Sequence, residues 1–243
     1  LQSLTVSSGT LTPAFSASTT SYTVDVASGV TRQLTHQGNV TQLAWLDDHK
    51  TISEAKSRFE QHVSVGPYLP ADLRSACYKA VLRAGNKETF DTMLKLYRSA
   101  DLHEEKDRIS RALGATKDEN LLSQVLDFAM SDEVRSQDSV FVIMSVAMTR
   151  PGRVLAWNFL KEHWKQLTDR YQGGFLLTRL VKFTTENFAS ESMAVEVENF
   201  FNDNKAPGAE RTVQQGVETI RLNAAWLARD TDAIRNFLQS YDK

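Results

Sequence analysis

The chain is 243 residues long, and its 28 Lys and Arg against 30 Asp and Glu leave a formal charge of -2 with a pI near 6.3, so no electrostatic ground exists for general nucleic-acid or anionic-membrane binding. One cysteine, Cys77, excludes an intrachain disulfide and suits a reducing compartment. No apolar run approaches the roughly 18 to 20 residues of a membrane span, and the first residues lack the basic-then-apolar layout of a signal peptide, so the expectation is a soluble, cytoplasmic protein.

Residues Leu1 to Thr31 hold seven Ser, seven Thr and a single charged side chain, Asp25. Leu1 to Val6 alternates apolar and polar residues as a half-buried strand does, and Ser8-Gly9-Thr10 supplies a turn. Tyr22 to Val26 alternates again and stops at Ala27-Ser28-Gly29. Two strands are marginal in water unless something covers their apolar face, so this segment needs a partner surface. Residues 32 to 50 read as a junction. Asn39-Val40-Thr41 is a glycosylation triplet of a kind that chance supplies often.

From Thr51 the pattern turns helical. Thr51-Ile52-Ser53-Glu54 has capping-box spacing and predicts a helix to about Val63. Pro70 opens the next, toward Arg83 and a stop at Gly85. Thr89 to Ala100 carries Phe90, Met93, Leu94 and Tyr97 on one face. His103 to Leu113 ends at Gly114. Thr116 to Glu119 starts a helix with Leu122, Val125, Leu126 and Ala129 inward. Ser139 to Thr149 is apolar enough to be buried on most sides. Pro151 opens a long helix from Arg153 to about Tyr171, ended by Gly173-Gly174. Phe175 to Phe183, Ser190 to Asn202, Glu210 to Arg229 and Thr231 to Tyr241 follow. Roughly ten or eleven such helices with short loops predict a mainly α fold: an α-superhelix of paired antiparallel helices, HEAT- or armadillo-like, behind a short N-terminal β segment.

The chemistry-bearing residues are sparse. A zinc hydrolase needs two His four apart on one helix face with a Glu between, and the nearest approach, His103-Glu104-Glu105-Lys106-Asp107, puts Asp107 where the second His belongs. It reads instead as an acidic first turn complementing the helix dipole. His36, His49, His62 and His163 make no ligand spacing. Cys77, among Ala76, Ala80 and Val81, reads as a packing cysteine rather than a nucleophile. Trp45, Trp157, Trp164 and Trp226 read as core.

Gly152-Arg153 through Trp157, His163-Trp164, Arg170 to Leu176, Arg179-Leu180, Ala206 to Gln215 and Asn223-Ala224-Ala225-Trp226-Leu227 together resemble the C-terminal helical domain of puromycin-sensitive aminopeptidases. Thr51 to Val63, Ala71 to Ser75, Met93 to Leu96, Glu104 to Lys106 and Leu113 to Thr116 fit the same domain, so the resemblance covers about residues 43 to 241. It implies an α-superhelix, here residues 51 to 243, that closes over a separate thermolysin-like catalytic domain. That other domain would supply the His-Glu-x-x-His zinc motif and the Gly-x-Met-Glu-Asn amine grip, neither of which this sequence carries. The chain itself is therefore expected to be no enzyme, with no cofactor of its own. Residues 1 to 31 resemble the opening strands of a cadherin-like β-sandwich module, which suggests a chimera spliced between Val30 and Leu43.

The resemblance implies a domain that shapes the substrate chamber, with the catalytic domain and a peptide as partners. Arginine suits a bidentate grip on a peptide's terminal carboxylate. Arg179, near the Gly173-Gly174 bend, is the leading substrate-binding candidate, with Lys182 and Tyr171 behind it, against the reading of Arg179 as an ordinary solvated helix charge. The alternative is a helical-repeat scaffold whose β segment mediates self-association through unpaired strand edges.

Overall fold

β-Branched residues dominate the N-terminal stretch, and strands form there. In the computed structural model the backbone is described for residues 3–7, 10–15, 20–21, 23–25, 31–32, 37–66, 69–171 and 174–241, and side chains for 41–66, 69–171 and 174–240. The turns expected at Ser8-Gly9 and Ala27 to Gly29, the terminator Gly173 and the side chain of Asn39 lie outside these residues. The strands β1 (Ser3–Ser7), β2 (Thr10–Phe15), β3 (Thr20–Ser21), β4 (Thr23–Asp25) and β5 (Thr31–Arg32) form one antiparallel sheet, ordered β1-β2-β4-β5 with β3 also on β2. The register sets Thr5 opposite Thr12 and Leu11 opposite Val24. Two strands were expected. The unforeseen β2 is the one that joins β1 to β4, and Pro13 hides it by breaking the alternation.

The chain divides into two compact units, Leu1–Ala84 and Gly85–Lys243. The first contains the sheet and three helices: α1 (Gln37–Trp45), α2 (His49–Val65) and α3 (Ala71–Arg83). Helix α1 occupies the stretch expected as a junction. Its Gly38-Asn39-Val40-Thr41 run is poor in helix formers, so the stabilisation comes from tertiary contacts. Arg83 of α3 donates to the carbonyls of Ala44 (3.2 Å) and Trp45 (2.8 Å) at its C-terminal end, and stacks its guanidinium 4.3 Å from the Trp45 ring. A cation there meets both the unsatisfied carbonyls and the helix dipole. The capping box proposed on Thr51 is corrected: Asp48 is the N-cap, and its carboxylate accepts from the Thr51 amide at 2.8 Å. Helices α2 and α3 meet through Phe59 edge-on to Tyr78 at 6.0 Å, and the Cys77 thiol contacts the Ala55 carbonyl at 3.2 Å.

The second unit contains α4 (Lys87–Ser99), α5 (His103–Leu113), α6 (Glu119–Met130), α7 (Ser136–Ala147), α8 (Gly152–Glu162), α9 (Trp164–Tyr171), α10 (Phe175–Thr185), α11 (Glu191–Asp203) and α12 (Glu210–Tyr241). Asn86, Asp118 and Ser190 cap α4, α6 and α11 through side-chain oxygens. Successive helices pack as pairs, and α7 packs against α5, α6, α8 and α10, as its nearly unbroken apolar run predicts. The backbones of α5 and α7 approach so closely at Gly114 that a Cβ there would lie 2.6 Å from the Ser145 carbonyl carbon. Among the described residues no helix is long and apolar enough to cross a membrane.

Two predicted boundaries are corrected. The expected 153–171 helix is two helices, because His163 leaves helical geometry (φ -103°, ψ 12°). Its carbonyl accepts the Leu167 amide at 2.9 Å and so starts α9, whose Trp164 packs on Phe200 and Phe201. The two helices expected on either side of Asp230 are one 32-residue helix. No Gly or Pro lies between Val217 and Tyr241, and the Thr231 hydroxyl donates to the Leu227 carbonyl within the helix. Trp157 and Trp164 are buried, whereas Trp226 is exposed on this long helix.

Candidate functional site

Gly174 is the N-cap of helix α10, and its amide donates to the Tyr171 carbonyl at 3.1 Å. This start places Phe175 in the first turn and Arg179 four residues later, the spacing at which helix side chains meet. Phe175 is 66% exposed, and the Arg179 guanidinium carbon lies 4.4 Å from its ring centroid. The same carbon is 5.7 Å from the ring of Phe141 on α7. From α5, Arg111 brings a second guanidinium to 4.1 Å from the Phe141 ring. Three helices thus converge two arginines on two aromatic rings.

The two cations differ in what they hold. Arg111 is ion-paired with Asp107 at 2.8 Å, one turn earlier on α5. Arg179 is half-buried and, among the described residues, has no carboxylate within ion-pair distance. Its ring contacts hold the planar group in place while its N–H donors remain available, the preorganisation that bidentate recognition of a carboxylate needs. Two arginines and one aspartate give this face a local positive balance, which favours an anionic ligand.

The three sequence-predicted residues do not form one cluster. Lys182 is exposed one turn after Arg179 and is shared with Glu186 at 3.8 Å. Tyr171 is 6% exposed, and its hydroxyl donates to the Ser136 carbonyl at 2.6 Å. It ties α9 to the start of α7. Sequence reasoning missed Arg111, Phe141 and Phe175. The Phe175 to Arg179 spacing was a legible signal, whereas Arg111 and Phe141 come from helices far away in the chain.

A concavity of about 610 Å³ lies between α11 and α12. Phe201, Val213 and Val217 give it apolar walls, with Lys205, Glu218 and Arg221 among its polar lining. Arg221 is already committed to Glu191 (3.0 Å) and Glu198 (2.9 Å).

Among the described residues no three His, Cys, Asp or Glu side chains gather as a metal-ligand set. The nearest sequence approach is occupied otherwise: Glu104 and Glu105 both pair with Arg108, and Asp107 pairs with Arg111. Zinc does not fit there. The Cys77 thiol is pushed up to about 12 by burial, with Arg58 opposing weakly, so it stays protonated at neutral pH and is no nucleophile. At the start of α8, the Arg153 Nε is buried with no hydrogen-bond partner among the described residues, and burial, with Arg150 nearby, lowers its pKa.

Comparison with known proteins adds an independent line. The family described as the ERAP1-like C-terminal domain matches residues 11–222. The match therefore begins inside the Ser/Thr-rich segment. Aminopeptidase M1 of Arabidopsis thaliana is 36% identical over 193 residues, covering 77% of this chain and 22% of that protein. Puromycin-sensitive aminopeptidase of Caenorhabditis elegans is 31% identical over 207 residues, covering 82% and 22%. Aminopeptidase N of Mus musculus is 32% identical over 168 residues, covering 67% and 17%. The chain thus spans about a fifth of the length of these relatives.

Proposed function

The chain belongs to the ERAP1-like C-terminal domain family, and from that premise we propose that it is the non-catalytic helical domain of a puromycin-sensitive-type zinc aminopeptidase. In the parent enzyme it caps the active-site chamber, receives the far end of the peptide substrate and works in the cytoplasm. Its partners are the catalytic domain and the peptide. The zinc belongs to that catalytic domain.

One observation carries the peptide-binding part: Arg179 is held against Phe175 and Phe141 with no carboxylate partner among the described residues. A cation fixed this way, with Arg111 beside it, suits the C-terminal carboxylate of a peptide. Lys182 supplies longer-range attraction from the next turn, and Tyr171 acts by fixing α9 against α7. A charge-assisted bidentate pair contributes about 1.5 to 3 kcal/mol, or roughly 10- to 100-fold in affinity.

The test compares a peptide with a free C-terminus against its C-terminal amide, measured calorimetrically on the full chain. Wild type is expected to prefer the free acid about tenfold or more, and Arg179→Ala to erase the preference. Equal affinity for acid and amide in the wild type would sink the assignment. A second reading, the scaffold that self-associates through its β segment, draws on β1 and β5, which among the described strands each pair on one side only.

A further inference from the structure

The groove between α11 and α12 takes one face of α12 as its wall. Glu210, Val213, Val217, Glu218 and Leu222 line it, at the spacings of three and four that keep helix side chains together. The first turn of α12 supplies one end and Leu222 the other, roughly 18 Å apart at 1.5 Å of rise per residue. The floor is apolar: Phe201 of α11, Ala206 of the turn that follows it and Val217 are buried, and Val213 is half-buried. Leu222 is 63% exposed at the far end.

The charges on the rim are unequal. Arg221 is held twice, by Glu191 at 3.0 Å and Glu198 at 2.9 Å. Glu210, Glu218 and Lys205 are exposed, and among the described residues none of these three has an ion-pair partner. Two open carboxylates stand against one open ammonium, so the groove favours a cationic occupant. Glu210 and Glu218 are eight residues apart on one continuous helix, which sets them roughly 12 Å apart along its axis. The apolar Val213 and Val217 lie between them.

We propose that this groove docks a basic amphipathic helix of a partner protein. The lining selects that chemistry. The apolar stripe of the partner helix fills the space over Phe201, Val213 and Val217, as a helix laid between two others does. Its Lys or Arg residues bracket the stripe about two turns apart and reach Glu210 and Glu218, because two turns of a second helix span nearly the same roughly 12 Å. An acidic helix would set carboxylates against carboxylates, and an uncharged one would leave both glutamates without a counter-charge. Exposed pairs of this kind contribute little each, so the apolar contact supplies most of the affinity and the charges choose the partner.

Fluorescence anisotropy of the full chain with a synthetic peptide tests this. The probe is about 15 residues of alanine with a leucine stripe at helical spacing, bracketed by two lysines roughly two turns apart. Its ends are blocked, so it brings no terminal carboxylate to Arg179. A counterpart carries glutamine at both lysine positions. Wild type is expected to bind the lysine peptide about fivefold or more tightly than the glutamine peptide. Glu210→Lys combined with Glu218→Lys, at two exposed positions, should reverse that preference and leave the helical circular dichroism unchanged. Leu238→Lys, on the part of α12 beyond the groove, should leave both affinities as in wild type. Equal affinity for the two peptides in the wild type overturns the proposal, as does failure to bind either. A preference that survives the double substitution, or that Leu238→Lys abolishes, also overturns it and transfers the peptide to another surface. The carboxylate-binding reading stands or falls separately, since Arg179 is untouched in every arm.

Discussion

Cys77 shows how much one residue's surroundings decide. Its neighbours Ala76, Ala80 and Val81 announce a packing role, and the structure adds the partner: the Ala55 carbonyl, 3.2 Å from the sulfur. Burial pushes the thiol up to about 12, so the thiolate is scarce at neutral pH. Alkylation must therefore wait for local opening of α2 and α3. Iodoacetamide labelling of the native chain, followed by mass spectrometry, should run at least ~100-fold slower than for a free cysteine and accelerate across the unfolding transition. Labelling at the free-thiol rate in native buffer would contradict the buried placement. Arg179 is the contrasting case. The sequence singles it out only as a candidate; the rings beside it lie partly on another helix, and no local pattern reports Phe141 as its neighbour.

At the scale of elements, an exposed carboxylate links α8 to α11. Glu196 of α11 accepts from the Trp157 indole and the Lys161 ammonium of α8, each at 2.7 Å. The hydrogen bond from Lys161, then that from Trp157, hold its carboxyl below the ordinary value of 4.5. A carboxylate depressed in the folded state stabilises above its unfolded pKa, and that contribution is lost as pH falls through the folded value. Glu196→Gln should therefore cost about 1 kcal/mol at pH 7, a figure already discounted for partial exposure, with the gap to wild type closing as pH falls below 4.5. Melting curves of both chains between pH 7 and pH 3 would show it. A gap unchanged across that range would mean the charge is not what fastens α8 to α11. Elements also explain the boundary errors: Gly and Pro mark helix ends well, but the α8–α9 break has neither. It follows from His163 leaving helical geometry where Trp164 turns onto Phe200 and Phe201.

For the whole molecule, membership of an aminopeptidase C-terminal domain family raises the question of activity. None of the 243 residues form the His-Glu-x-x-His or Gly-x-Met-Glu-Asn motifs, and the described His, Glu and Asp side chains make no metal-ligand set. Assayed with added zinc, the chain should release no fluorophore from aminoacyl fluorogenic substrates, and chelator-sensitive turnover by pure protein would overturn that. The two compact units divide at Ala84 and Gly85, so the Ser/Thr-rich segment shares its unit with α1 to α3 and not with the longer helical array. The family match from residue 11 crosses that boundary.

What the residues determined alone was the helical class, most helix positions and the family, because periodicity, caps and motif runs are local properties of neighbours in sequence. His103 to Leu113 is an instance, with Glu104 and Glu105 in its first turn and Gly114 at its end. What only the tertiary structure decided was everything set by residues distant in the chain: helix α1, stabilised by Arg83 rather than by its own propensity; the β2 strand, masked by Pro13; and the convergence of Arg111, Phe141 and Arg179. Each depends on which surfaces meet, and that is settled by burial across the fold, not by the order of side chains along it.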